Sequence, residues 1–156
     1  VRATLEALAC RVSMDRGWST EDLDHLASVV RQSRAIVDRG DWSEAIEFEW
    51  YQFNWIFHRT IHHATHNTVL RNSIRMTVIY PVFGDVARLC PSVAIHIPQR
   101  FRQLSSTTPD HIRASQLDHE RLLDAITRGD SNEAARLMSD HVIATKARLH
   151  EIATLR

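Results

Sequence analysis

The chain has 156 residues, 44% hydrophobic and 24% charged, with 19 basic residues balanced by 19 acidic ones. That length suits one globular domain with its own core, and a formal net charge of zero with no block of five cationic residues argues against a surface that reads nucleic acid directly. No apolar run approaches the about 18 residues a membrane span needs, and Arg2 and Glu6 interrupt an N-terminus that a signal peptide would keep apolar.

Glycine is scarce, and Gly17, Gly40 and Gly129 fall between long segments with 3.6-residue periodicity, as helix ends and turns should. The expected fold is therefore all-α, an antiparallel bundle of about six or seven helices. A first helix runs from Ala3 to about Arg16. Ser19 caps a second, with Glu21 and Asp22 in its first turn, and Gly40 stops it after Arg39. Asp41 is the expected cap of a third helix reaching about Thr65, and Asn67 begins a fourth that must end near Tyr80, because Pro81 follows. From Pro81 to Thr108 the pattern is irregular, with Pro91 and Pro98 bracketing "SVAIHI" and room for short helical turns. Thr108 and Pro109 read as N-cap and first residue of a helix ending at Gly129, and Ser131 as the cap of a last helix to about Thr154.

The two cysteines, Cys10 and Cys90, lie far apart and form no C-x-x-C pair. They support neither a disulfide framework nor a thiolate zinc site, and a reducing cytoplasm fits them. The chain opens on Val1 without a methionine, so an upstream segment is expected.

Ten histidines need individual explanations, since a buried imidazole without a partner is costly and a surface one is not. On the third helix Ile46, Trp50, Phe53, Phe57, Ile61 and Ala64 step by 4, 3, 4, 4 and 3 and form the core stripe. Asn54 and His58, one turn apart, sit beside that stripe and can project inward at one level. His62 continues their line, whereas His63 and His66 lie elsewhere around the helix or at its end; of the four, His58 is expected to work and His62, His63 and His66 mostly not. His119 takes a core slot between Ile112 and Leu122, on a line that continues to Ile126. On the last helix His141 takes an inward slot in the line Ala134, Leu137, Ala144, next to the Met138, Val142, Leu149 stripe. Any one of these three alone reads as a core histidine bonded to a carbonyl. Three of them, on three helices, with an amide oxygen four residues before the first, leave a metal site equally open, since neutral imidazoles suit Zn²⁺, Ni²⁺ or Fe²⁺ and bundle cores build such sites from facing helices.

Three stretches together carry a family resemblance: "RATLEALA" (Arg2 to Ala9), "NWIFHRTIHHATHN" (Asn54 to Asn67) and "DHERLLDAITRGDSNEAARLMSDH" (Asp118 to His141). They resemble the FadR C-terminal ligand-binding domain (FCD) of GntR-type transcription regulators, matching its R-x-x-L-E opening, its D/N-x-x-F-H-R helix and its E-H…A-x-x-x-M-x-x-H ending. The resemblance spans nearly the whole chain and is absent from about Val82 to Ser106, which makes residues 81 to 108 the expected specificity element. It implies one effector-binding and dimerisation domain over residues 1–156, with the winged-helix DNA reader upstream and outside this chain. In the metal-binding branch of the family, one Asp or Asn and three His hold a divalent metal in the bundle. Carried onto this sequence, the set is Asn54, His58, His119 and His141, with zinc the first choice and nickel or iron the alternatives. Asn54 departs from the usual Asp, and a neutral amide oxygen is a weaker ligand.

A metal held by three imidazoles and one weak oxygen keeps a coordination position open, which favours a small organic acid as effector. An arginine should pair with the acid's second charge. Arg2, through its match to the opening motif, is the first choice and Arg75 the second; Arg59 points away and is expected in a structural ion pair. Trp50, Phe53 and Phe57 read as core packing, while Trp55 and Tyr51 face differently and are candidates for a dimer contact. Asp118 diverges by about 100 degrees from its neighbour His119 on a helix and reads as a surface residue. The expected molecule is a non-enzymatic, cytoplasmic, homodimeric sensor that meets DNA only through its missing domain. Two rivals are a metal-stapled oligomerisation domain and a metal-dependent hydrolase. Against the latter, no H-E-x-x-H is present and no acidic residue is expected beside the inward histidines as a general base.

Overall fold

A computed structural model of the chain describes residues 1–77 and 105–154, apart from the side chains of 146 and 148–154. Six helices make up the described residues: α1 (Arg2–Arg16), α2 (Thr20–Asp38), α3 (Glu44–Ala64), α4 (Thr68–Thr77), α5 (Asp110–Thr127) and α6 (Ser131–Thr154). The all-α expectation holds. The expected end of the fourth helix near Tyr80 and residues 81–104 of the irregular stretch lie outside the described residues, as does Cys90.

Local chemistry explains where each helix starts. Ser19 lies in extended backbone and its hydroxyl accepts the Asp22 N–H at 3.0 Å, with Glu21 and Asp22 in the first turn. The third helix is capped by Ser43, which accepts the Ile46 N–H at 3.3 Å, and not by Asp41. The reason is Trp42, which is buried. Anchoring that indole keeps the chain extended for two more residues, and Asp41 pairs with Thr107 in an isolated antiparallel β-bridge, its neighbour Trp42 donating to Ser106 O at 2.9 Å. Thr108 is likewise not a cap. Its hydroxyl donates to Val37 O at 3.2 Å, and Pro109, with ψ 144°, is the last non-helical residue before α5. Asp130, rather than Ser131, accepts from the Glu133 N–H at 3.0 Å and starts α6. Between them Gly129 takes φ 76°, the left-handed backbone that glycine adopts without a Cβ penalty.

The short connections after α2 and α5 fold two helix pairs back on themselves, α2 on α3 and α5 on α6, while α1 lies against α6, α3 and α4, and α2 against α5. The main core gathers residues from all six helices, including Cys10, Leu26, Phe57, Ile61, Ile74, Leu122, Ala134 and Met138. A second cluster of Ile36, Val37, Trp42, Ile46, Trp50, Tyr51 and Ile112 fills one end, and Phe53 packs against both. Tyr51, expected at a dimer contact, therefore belongs to the interior, whereas Trp55 is 56% exposed. Ala144, placed by periodicity on the inward line of the last helix, is exposed, whereas Ala134, Ala135, Met138, His141 and Val142 are buried there. No helix among the described residues is long and apolar enough to cross a membrane.

Candidate metal centre

α3, α5 and α6 bring His58, His119 and His141 together in the core, all three buried. Their ring centroids are 5.6 Å (His58 to His119), 5.3 Å (His58 to His141) and 4.9 Å (His119 to His141) apart. Each offers a ring nitrogen, and those three atoms lie within 4.8 Å of one another, so the group could hold a metal ion. Asn54, one turn before His58, is half-buried. Arg2 is partly exposed at the start of α1, and Arg75 is exposed on α4.

The imidazoles differ in what satisfies them. His58 Nδ1 lies 3.4 Å from Glu6 Oε2, and His141 Nδ1 lies 3.3 Å from Asp118 Oδ2. An ionised carboxylate only accepts, so in their neutral form both rings carry the proton on Nδ1 and keep a lone pair on Nε2. His119 is packed between aromatic faces, with Phe57 stacked at 4.1 Å and 20°. Its Nε2 is buried and has no hydrogen-bond partner among the described residues. Such an atom costs roughly 1–3 kcal/mol if left alone, and an aromatic slot gives it no donor or acceptor. The donor set therefore fits a divalent metal: three imidazoles, two of them backed by carboxylates and one with a ring nitrogen that has no partner among the described residues.

Burial disfavours charge on two of the three rings. It pushes the His119 pKa well below the ordinary histidine value, with His141 and His58 opposing a further charge beside it. Burial also lowers that of His58, against the opposite pull of Glu6. Unprotonated imidazoles are the metal-binding form.

Three residues are misjudged by sequence reasoning. Glu6 lies within α1's buried set of Glu6, Ala9, Cys10 and Ser13, fully out of solvent. Its Oε1 accepts from Arg2 Nε at 3.3 Å, and its Oε2 from His58 and, at 2.6 Å, from His62 Nε2. Burial opposes its ionisation, but the hydrogen bonds donated by His58 and His62 outweigh that and hold the carboxyl well below the usual carboxylate range. His62 is thus engaged with the site's surroundings and is no bystander, and the absence of an acidic residue beside the inward histidines is corrected by Glu6 and Asp118. Asp118 reaches His141 on the neighbouring helix, because the angle that turns it away from His119 turns it toward α6. Glu6 had a signal: the R-x-x-L-E opening, and its 3, 1, 3 spacing with Ala9, Cys10 and Ser13. A lone glutamate among small residues still scores as solvated until its partners are known.

The other conspicuous side chains lie outside the cluster. Arg59 is exposed, with its guanidinium 4.7 Å over the Trp55 ring and its Nε donating to His63 at 3.2 Å. His63 and His66 are exposed, His66 in left-handed backbone at φ 49° where α3 ends.

The sequence matches the FCD domain family over residues 1–144. A comparison with curated proteins found no match. The match takes in α1 through most of α6 and all three core histidines, and the chain belongs to the FCD domain family, the effector-binding domains of GntR-type transcription regulators.

Proposed function

We propose that this chain senses a small organic acid at a divalent metal centre and passes its occupancy to a winged-helix DNA reader upstream, as the metal-binding branch of the family does. His58, His119 and His141 are the nitrogen ligands and Asn54 the weak oxygen ligand; zinc is the first choice of ion, ahead of nickel or iron. The observation that carries this reading is the buried, unpartnered Nε2 of His119, on a ring that offers a nitrogen within 4.8 Å of one from each of His58 and His141. When bound, such an ion offers an open coordination position to a carboxylate. The chain's own part is to hold three neutral rings in place and to present an arginine to the acid's second charge. Arg2 is favoured for that role, since Glu6 ties it to the carboxylate that also touches His58, and Arg75 is the second candidate. The working state is a cytoplasmic homodimer, so that acid binding changes the relation of two readers on DNA.

The test is elemental analysis of chain purified without chelator or nickel resin, followed by melting curves of the metal-loaded form against a panel of mono-, di- and tricarboxylates. One divalent ion per chain and a concentration-dependent rise in Tm with one acid class are expected. A chain that takes up no divalent ion overturns the metal centre. A loaded chain indifferent to every carboxylate overturns the sensor in favour of a metal-stapled oligomerisation domain.

A further inference from the structure

Glu6, His58 and His62 form a second group of potential ligands beside the first, sharing His58 with it. A second ion does not suit their spacing. Two ligands each about 2.0–2.1 Å from a tetrahedral zinc stand roughly 3.3 Å apart, whereas Glu6 Oε2 and His62 Nε2 are only 2.6 Å apart. That is the length of a charge-assisted hydrogen bond, so the group is a closed hydrogen-bonded cluster around one carboxylate. Its connections are unusual in what they join. Oε2 takes the Nδ1 proton of a core histidine on α3 and the Nε2 proton of His62 one turn later, while Oε1 takes Arg2 Nε from α1.

We propose that Glu6 is a positioning residue that sets the tautomer of His58 and the location of Arg2 at the same time, and that His62 is the third arm that keeps its carboxylate in place. The inference rests on the metal-and-acid reading above and extends it to two residues outside the ligand set. Without an acceptor behind Nδ1, His58 loses the reason to keep its proton there, and with it the guaranteed lone pair on Nε2. A glutamine at position 6 has the same size but turns either its oxygen or its NH₂ toward Oε2's two donors, and cannot serve both donors and Arg2 as an ionised carboxylate does. Aspartate keeps the charge on a shorter arm. Among the described residues the His62 side chain hydrogen-bonds to Glu6, and its ring stands 6.3 Å from that of His58, so its loss acts on the metal ligands through Glu6.

The experiment is a cobalt(II) titration of the full chain against a chromophoric chelator, with the Co²⁺ d–d spectrum recorded for wild type, Glu6→Gln, Glu6→Asp and His62→Gln. Expected are a loss of about 10- to 100-fold in affinity for Glu6→Gln, partial recovery in Glu6→Asp, and a smaller loss for His62→Gln, each in protein whose metal-free helical content matches wild type. Glu6→Gln that binds Co²⁺ with wild-type affinity and an unchanged spectrum overturns the inference while leaving the metal centre standing. Should Glu6→Gln fail to fold, the imidazole ¹⁵N shifts of zinc-loaded wild type decide: a proton on His58 Nδ1 and on His62 Nε2 supports the inference, and a proton on His58 Nε2 overturns it. A wild-type chain that binds no Co²⁺ or Zn²⁺ overturns the metal centre itself, and this inference with it.

Discussion

Gln116 and His119 lie one turn apart on α5, equally shut off from water, and the protein treats them in opposite ways. Gln116 is complete within the chain: its Oε1 accepts from Trp50 Nε1 at 3.3 Å, and its amide NH₂ donates to Val30 O at 3.1 Å and toward Glu120 Oε1 at 3.4 Å. Glu120 in turn is held by Arg34, its second oxygen accepting at 2.6 Å. His119, one turn on, has a ring nitrogen with no partner among the described residues. A buried polar group satisfied by its own chain fastens helices to one another; one left unsatisfied costs stability unless something from outside completes it. Together with the imidazoles of His58 and His141 beside it, the difference sets the candidate site apart from a structural network.

The comparison breaks first at His119 itself. His119→Phe fills nearly the same aromatic slot, so the metal-free variant should melt at or slightly above wild type, having lost an unsatisfied nitrogen. It should also lose metal stabilisation entirely. For wild type that stabilisation is about 2.7 kcal/mol with free metal at one hundred times Kd, which chelator should remove; at about 2–4 °C per kcal/mol for a domain of this size the shift is readily seen in a melting curve. A metal-dependent rise in Tm that survived in His119→Phe would contradict the assignment of this nitrogen. Gln116→Leu should behave in the reverse sense, destabilising by about 1–3 kcal/mol because Trp50 Nε1 is left buried and unpaired, by the same amount with metal or with chelator.

Acid sharpens the contrast. Burial lowers the pKa values of His58 and His119, so as pH falls below the ordinary histidine value the unfolded chain takes up protons that the folded chain refuses. Stability therefore rises with pH through that window and is lost on the acid side, by up to about 1.4 kcal/mol per pH unit for each ring. The Tm of metal-free wild type should drop from pH 7 toward pH 5, and His119→Phe should show a shallower drop, while Gln116→Leu keeps the wild-type slope. The smallest effect is at the rim of the Gln116 network. Arg34 and Glu120 are about one-third exposed, so Arg34→Met should cost no more than about 1 kcal/mol in chemical denaturation and should leave metal affinity unchanged.

Much of this was legible without coordinates. The stripe from Ile46 to Ala64, the Ser19 cap and the glycine turns follow from periods and backbone preferences that act within a few residues. His119 and His141 stood out because each breaks an apolar line, and His58 because it sits beside the core stripe and can project inward; a polar side chain that faces a core must have a use. Where the reading failed, the competing influence came from far along the chain. Asp41 yields the cap to Ser43 because Trp42 is drawn into a cluster with Ile112, and Thr108 gives up capping to bond Val37 O.

What the sequence determined by itself was therefore the set of helices, their inward faces and three imidazoles that needed partners, since all of these follow from local periodicity and the cost of burying a polar atom. Only the tertiary structure decided which partners they have. Glu6 and His62 are 56 positions apart and Asp118 and His141 are 23 apart, and no local preference can signal that a glutamate on α1 is the acceptor for a histidine on α3. Hydrogen bonding depends on distance in space and not along the chain, so the division between satisfied and unsatisfied groups, on which the proposed function turns, exists only once the helices are packed.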